Sequence, residues 1–329
     1  MEALELSVRS GLPLHVLQDR LGLVAHYVPT ETGFGAVMRD AFMIDCAATV
    51  ARYRVLHAHL PDEVRALADT LRALQCDVVV SNVSYIAAAA AASAGIPSVL
   101  FSSLTWHEVL RACCPEGAWL ADEMLAAYRQ AGRVLQLVPG TDFEGLHSEK
   151  IVQPIARIGR RRQQELRQRI GAGPEDKVAL LAFGGMMPAV PPPVAHATGE
   201  FRLIGPAAWR SAGITPVESV GLPFEDLLAS VDVVVSKPGY GIVTELACVG
   251  TPSVLLSRPD WPEEPHLSTW LAPHARCLVV PRWQDVTAEA LRACLDLPPP
   301  VARRPQPGGE AIVAAAVRDA FAGSGGTPP

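Results

Sequence analysis

The feature that most constrains this chain is a repeated alternation. Short runs of valine, isoleucine and leucine, three to six residues long, are separated by stretches with helical periodicity. In the second half the apolar runs are Val178–Phe183, Phe201–Ile204, Val231–Val235, Ser253–Leu256 and Leu278–Val280, with helical stretches at Glu225–Ser230, Ile242–Val249, Pro265–Leu271 and Ala288–Leu295. In the first half, strands are expected at Leu4–Val8, Leu23–Val28, Asp77–Val80, Ser98–Phe101 and Val134–Leu137, and helices at Val50–His59, Glu63–Leu74 and Tyr85–Ala94. Runs without internal polar alternation suit strands buried on both faces, so the pattern predicts parallel sheets covered by helices on both sides. The rhythm changes near residue 155, where an arginine-rich segment begins. The expectation is therefore two doubly wound, Rossmann-like α/β domains, 1–155 and 156–322, with Gly309–Phe321 as the last helix and a disordered tail at 323–329.

A length of 329 residues with 49% hydrophobic content is enough for two cores. No apolar run reaches the ~18 residues of a membrane span, and no signal-peptide pattern opens the chain. Seven scattered cysteines suit reduced core thiols, and adjacent Cys113 and Cys114 are poor zinc spacing. These features predict a cytoplasmic protein. A net charge of −6 argues against a general nucleic-acid binder.

The stretch "SKPGYGIVTE" at 236–245 follows the apolar run Val231–Val235 and opens a helix. Gly239 and Gly241 free the backbone for close approach of a ligand, and N–H groups at a helix start form an anion site. Lys237 adds a positive charge in a chain whose 28 basic residues include only three lysines. Glu245, one turn into the helix, is placed to accept hydrogen bonds from a ribose diol. A plain strand-to-helix turn would share the two glycines, with Glu245 as an acid favoured by the helix dipole. Two further strand ends favour a site: Gly184 and Gly185 after the run Val178–Phe183, and "SRPDWPEEPH" after Leu256, which carries Arg258, Asp260, Glu263, Glu264 and His266.

The ordered segments "LLAFGG", "VDVVVSKPGYGIVTELACVGTPSVLLSRPDWPEEPHLSTWL" and "PQPGGEAIVAAAV" resemble the carboxyl-terminal domain of GT-B glycosyltransferases of the peptidoglycan N-acetylglucosaminyltransferase type. They are most similar to the glycosyltransferase-like front portion of L-arabinokinases and to stand-alone bacterial relatives of that portion. "DVVVSNVSYIAAAAAASAGIPSVLFSSLTW" resembles the front domain of the same proteins. The resemblance implies a GT-B fold and metal-independent, inverting transfer of a sugar from a nucleotide-diphosphate sugar, foremost a UDP-sugar, to an unknown acceptor, with no cofactor. By that likeness Gly184, Gly185, Ser236, Lys237, Gly239, Tyr240 and Gly241 hold the donor diphosphate. Glu245 holds the ribose, and Arg258, Glu263, Glu264 and His266 contact the donor sugar.

The chain departs from the family at its start. It opens on "LELSVRSGLP", which resembles the family's second strand, and the glycine-histidine loop is absent; "ETGFGAVM" has two glycines but neither the preceding strand nor the histidines. Either the start is assigned too late or the first βα unit is lost. A non-catalytic nucleotide-sugar-binding protein is the first alternative, and a nucleotide-sugar 2-epimerase, which shares the fold, the second. An inverting transfer needs a general base on the front side of the crevice. Asp45, His107 and Asn82 are the candidates, Asp45 after the Gly33–Gly35 loop and the other two after strands. Each has a plainer reading, Asp45 as a first-turn acid and His107 as part of a helix start capped by Ser103 or Thr105. The six arginines of Arg157–Arg169 suit a solvated helix face or, as peripheral contact, an anionic membrane. Trp261 lies close enough to the donor loop to stack on a sugar or base.

Overall fold

A computed structural model of the chain describes residues 5–30, 32–40, 42–184, 188–196 and 200–323. Twelve strands are present among them: β1 (Ser7–Arg9), β2 (His26–Val28), β3 (Val79–Asn82), β4 (Ser98–Ser102), β5 (Arg133–Leu137), β6 (Glu149–Ile151), β7 (Lys177–Ala182), β8 (Phe201–Gly205), β9 (Thr215–Pro216), β10 (Val233–Ser236), β11 (Ser253–Leu256) and β12 (Cys277–Val280). They form a front sheet in the order β3-β4-β5-β6, a back sheet in the order β12-β11-β10-β7-β8-β9, and a separate pair β1-β2. Every ladder is parallel.

Both large sheets are buried on two faces, which is why their strands read as unbroken apolar runs. Val178, Leu180 and Val234 point into one back core, with Leu246 and Leu267. Ala179, Leu181, Val233 and Val235 point into the other, with Trp209 and Leu291. In the front sheet, Leu100 and Val134 face Tyr85, Met124 and Tyr128. The opposite face, with Val99, Leu135 and Leu137, is covered by Val313 and Ala316 of the last helix, Gly309–Gly323. That helix, grouped by the sequence with residues 156–322, lies in space on the front sheet. Residues 324–329 of the expected tail lie outside the described residues.

Several elements differ from expectation. Short β6 and β9 are too polar or too brief to stand out, and the helices Leu14–Leu21 and Ala118–Tyr128 are additional. The strand expected at Asp77–Val80 sits two residues later, at Val79–Asn82. The two expected opening strands shrink to three residues each and pair only with each other. The arginine run is less solvated than a free face: Arg162 pairs with buried Asp226, Arg167 with Asp232, and Arg169 donates to the Val220 and Gly221 carbonyls. No helix among the described residues is long and apolar enough to cross a membrane.

In the back sheet the chain moves outward from β7 through β8 and β9, then returns to start β10 on the other side of β7. Such a reversal leaves a crevice at the carboxyl ends of the two central strands, where ligands of open α/β sheets bind. Gly184 follows one of these strands and Ser236 ends the other.

Candidate functional site

The turn after β10 is built on Ser236, whose buried hydroxyl donates to the Ala182 carbonyl at 2.5 Å and ties the ends of β7 and β10 together. Gly239 then caps the helix Tyr240–Val249 in extended conformation, φ −153° and ψ 150°. Any residue adopts that conformation, and a Cβ at Gly239 or Gly241 would meet nothing within 4 Å. The fold therefore has no internal need for glycine at either position, and the space lies in front of the helix N-terminus. Gly184 is different: its φ of +64° is the left-handed region that favours glycine, so the turn alone accounts for it. Gly185 lies outside the described residues. Glu245, half-buried, follows Gly241 by four residues and shares its face of the helix.

Two cations converge on this mouth. Lys237 is pushed down to about 8, first by burial and then by the nearby Arg258 guanidinium. Arg258 follows β11, is 5% exposed, and lies with its guanidinium carbon 4.1 Å from the centroid of the Trp261 ring. Its Nε and Nη2 are buried with no hydrogen-bond partner among the described residues. A buried guanidinium with unused donors is costly, and an anion is the partner that offsets the cost.

The two acids of this loop serve different ends. Glu264 accepts from the Ser257 hydroxyl at 2.7 Å and from the Arg258 backbone N–H, so both oxygens hold the loop that carries Arg258. That leaves its carboxylate engaged locally instead of directed at a sugar. Glu263, 4% exposed, accepts from the Trp261 indole at 3.2 Å. Burial pushes its carboxyl up, while Ser103 of the front half, Trp261 and Arg258 pull it down. His266 is exposed on the helix Glu264–Leu271.

Tyr240 turns its side chain away from the mouth of the turn. Its hydroxyl accepts from the Ile155 N–H at 3.0 Å, and Thr244 donates to the Ile155 carbonyl at 3.0 Å. The ring faces the connection between the two sheets, and only the backbone of Tyr240 belongs to the mouth of the turn.

The front wall reaches the loop after β11 through Trp106, whose ring meets that of Trp261 edge-on at 6.4 Å, and through the Cys113 thiol, which donates to the Asp260 carbonyl. Gly35 is required by this wall, because a Cβ there would lie 2.5 Å from the Trp106 ring. Gly33 needs its φ of +87°. The two glycines of "ETGFGAVM" are thus accounted for by packing and turn geometry.

His107 is likewise turned inward. It is fully buried, its Nε2 bonds the Glu144 carbonyl at 3.0 Å, and burial holds its pKa below the ordinary histidine range. No acceptor can reach it in this structure. Thr105 stands at the N-cap, but its hydroxyl donates to Glu108 instead of capping. Asp45 is half-buried and caps the helix Cys46–Ala58, accepting from the Ala48 N–H at 2.9 Å. Asn82 is exposed at the end of β3.

No family profile matches the chain. It is 26% identical over 254 residues to an L-arabinokinase of Arabidopsis thaliana, which spans 72% of this chain and 24% of that protein. The chain thus covers about a quarter of the relative's length. Among solved structures it superposes on the calicheamicin glycosyltransferase CalG4 with a TM-score of 0.50 at 15% identity, covering 85% of this chain and 78% of that one. The glycosyltransferase of kitacinnamycin covers 92% and 84%, at 19% identity and a TM-score of 0.49. The likeness shows the fold: an α/β, GT-B glycosyltransferase-like chain, similar to part of an L-arabinokinase.

Proposed function

We propose that this chain, whose fold is that of the GT-B glycosyltransferases, binds a nucleotide-diphosphate sugar at the mouth of the β7 and β10 turns and transfers the sugar to an acceptor. The observation that carries the reading is Arg258, buried with unused donors beside Lys237 and in front of glycines that the fold itself does not require. The diphosphate sits before Gly239 and Gly241, the ribose against Glu245, and the sugar near Glu263 and His266. UDP is the foremost nucleotide, and the reaction is assigned to the cytoplasm.

In the transfer an acceptor hydroxyl oxygen attacks the anomeric carbon. The bond from that carbon to the diphosphate oxygen breaks, its electron pair stays on the diphosphate, and the acceptor's proton passes to a base. The backbone N–H groups, Lys237 and Arg258 stabilise the charge that grows on the departing diphosphate, so these residues supply the leaving-group assistance without a metal. Asp45 is the remaining candidate for the base, with one carboxylate oxygen already used in its cap.

Burial of His107 favours a second reading, binding without turnover. Incubation with radiolabelled UDP-hexoses and a bacterial extract as acceptor source separates the two. Label moving into a larger product, and UDP released in equal amount, supports transfer. Tight binding with neither supports the binding protein, and no interaction with any nucleotide-diphosphate sugar rejects both.

A further inference from the structure

The loop that carries Arg258 is held from across the crevice. It leaves β11 of the back sheet, turns where the Trp261 N–H donates to the Arg258 carbonyl at 2.8 Å, and enters the helix Glu264–Leu271. By packing, its middle residues belong to the other half of the molecule. Trp261 sits, partly buried, against the front hydrophobic core of Tyr53, Tyr85, Leu110 and Tyr128. The Trp106 ring meets it edge-on, an attractive geometry at this separation, and the Cys113 thiol donates to the Asp260 carbonyl. One front helix, Trp106–Cys113, thus meets the loop with its first residue and its last.

That helix is a fixed support. The Trp106 N–H donates to the hydroxyl of buried Tyr128 at 3.1 Å, and the Trp106 ring packs so closely on Gly35 that a Cβ there would run into it. Gly35 is held in turn by the buried Tyr53 hydroxyl, which donates to its carbonyl at 2.8 Å. At the other end of the helix the Cys46 thiol donates to the Cys113 carbonyl at 2.8 Å. Arg258 takes its orientation from the residue so supported: the guanidinium lies over the Trp261 indole, and its Nε and Nη2 have no hydrogen-bond partner among the described residues. The direction of the fork therefore follows the Trp261 ring, and the place of that ring is set from the front half.

We propose that Trp106 and Cys113 are positioning residues for the donor site: by holding Trp261 and Asp260 they aim the Arg258 fork at the diphosphate, so that contacts on the front wall set the affinity of the back sheet for its ligand. The inference rests on the donor reading given above. Both residues act through the loop and not on the ligand, so their effect is confined to the part of the ligand that Arg258 meets. A loop without the two contacts keeps its start in place through Glu264, which still holds the Ser257 hydroxyl and the Arg258 N–H. What it loses is the aim of the guanidinium, and a fork that must be ordered on binding binds more weakly.

Calorimetric titration with UDP and with inorganic pyrophosphate tests this in Trp106→Leu and Cys113→Ala, each made in the parent and in Arg258→Lys. Coupling carried through packed side chains is expected to be worth roughly three- to tenfold in affinity. Each single change should weaken both ligands by the same factor, within that range. Cys113→Ser, which keeps a donor for the Asp260 carbonyl, should restore the parent affinity. In the Arg258→Lys background neither change should weaken binding further, because the group it positions is gone. Damage to the fold at large would cost affinity equally in both backgrounds, so an equal loss overturns the proposal. Unchanged affinity in both single variants, beside a parent that binds, overturns it as well and leaves the donor reading standing. A parent that binds neither ligand overturns the donor reading and this inference with it. If Trp106→Leu fails to fold by circular dichroism, Cys113→Ala decides alone.

Discussion

The guanidinium of Arg258 lies 4.1 Å from the centre of the Trp261 ring, and two of its nitrogens are buried without a partner. Stacking on the indole fixes the plane of the guanidinium before any ligand arrives, which lowers the ordering cost of binding. Arg258→Lys keeps the charge but loses the stack and the planar fork. Its affinity for UDP is expected to fall at least tenfold by calorimetry. The melting temperature is expected to change little, since one buried cation replaces another. A large fall in melting temperature with unchanged affinity would make Arg258 a structural residue.

Gly241→Ala should move stability and binding in opposite directions. A helical Gly→Ala change stabilises by up to about 1 kcal/mol where the conformation permits it, and the added Cβ meets no neighbour within 4 Å. Thermal denaturation should show a small gain while UDP titration shows a loss. Gly250→Ala is the contrast: its φ of +79° strains any side chain, and an added Cβ would run into the Arg304 side chain, so clear destabilisation is expected.

Lys237 gives the site a pH signature. With its pKa near 8 in the free protein, Lys237 is charged below that value and neutral above it. Affinity for UDP should be level through pH 7 and decline as pH rises above 8, and Lys237→Met should flatten the profile. Stability of the unliganded chain responds with the other sign. A folded pKa below the ordinary lysine value means that the unfolded state binds more protons between about 8 and 10.4, so this group's contribution to stability rises across that window.

Tyr240→Phe tests the role that the structure gives the ring. Removing the hydroxyl strands the part-buried Ile155 N–H, and loss of its partner costs on the order of 1 kcal/mol. Denaturant unfolding should report that loss while UDP affinity changes less than twofold. A variant as stable as the parent but unable to bind would return the tyrosine to the diphosphate.

The parallel sheets and most of their helices were legible because strands buried on both faces leave long apolar runs in sequence. The turn after β10 stood out as a candidate site for a related reason: glycines, a rare lysine and a carboxylate occur at fixed intervals after such a run. What spacing does not carry is the direction of a side chain. Tyr240 stands between the two glycines and yet faces Ile155, and His107 stands after a strand end and yet is enclosed by Tyr128 and the Glu144 carbonyl. The partners of Glu264, Ser257 and the Arg258 backbone, are brought to it only by the fold of the loop. The role of Arg258 depended on the absence of partners for its buried nitrogens, which no sequence records.

The central claim is that one turn divides a nucleotide between a diphosphate subsite and a ribose subsite. Calorimetric titration of the parent and of Glu245→Ala with UDP, and of both with inorganic pyrophosphate, tests it most directly. The account predicts that the parent binds both ligands, and that Glu245→Ala loses tenfold or more for UDP while its pyrophosphate affinity is unchanged. No heat of binding for either ligand in the parent, or equal UDP affinity in the two proteins, would contradict it.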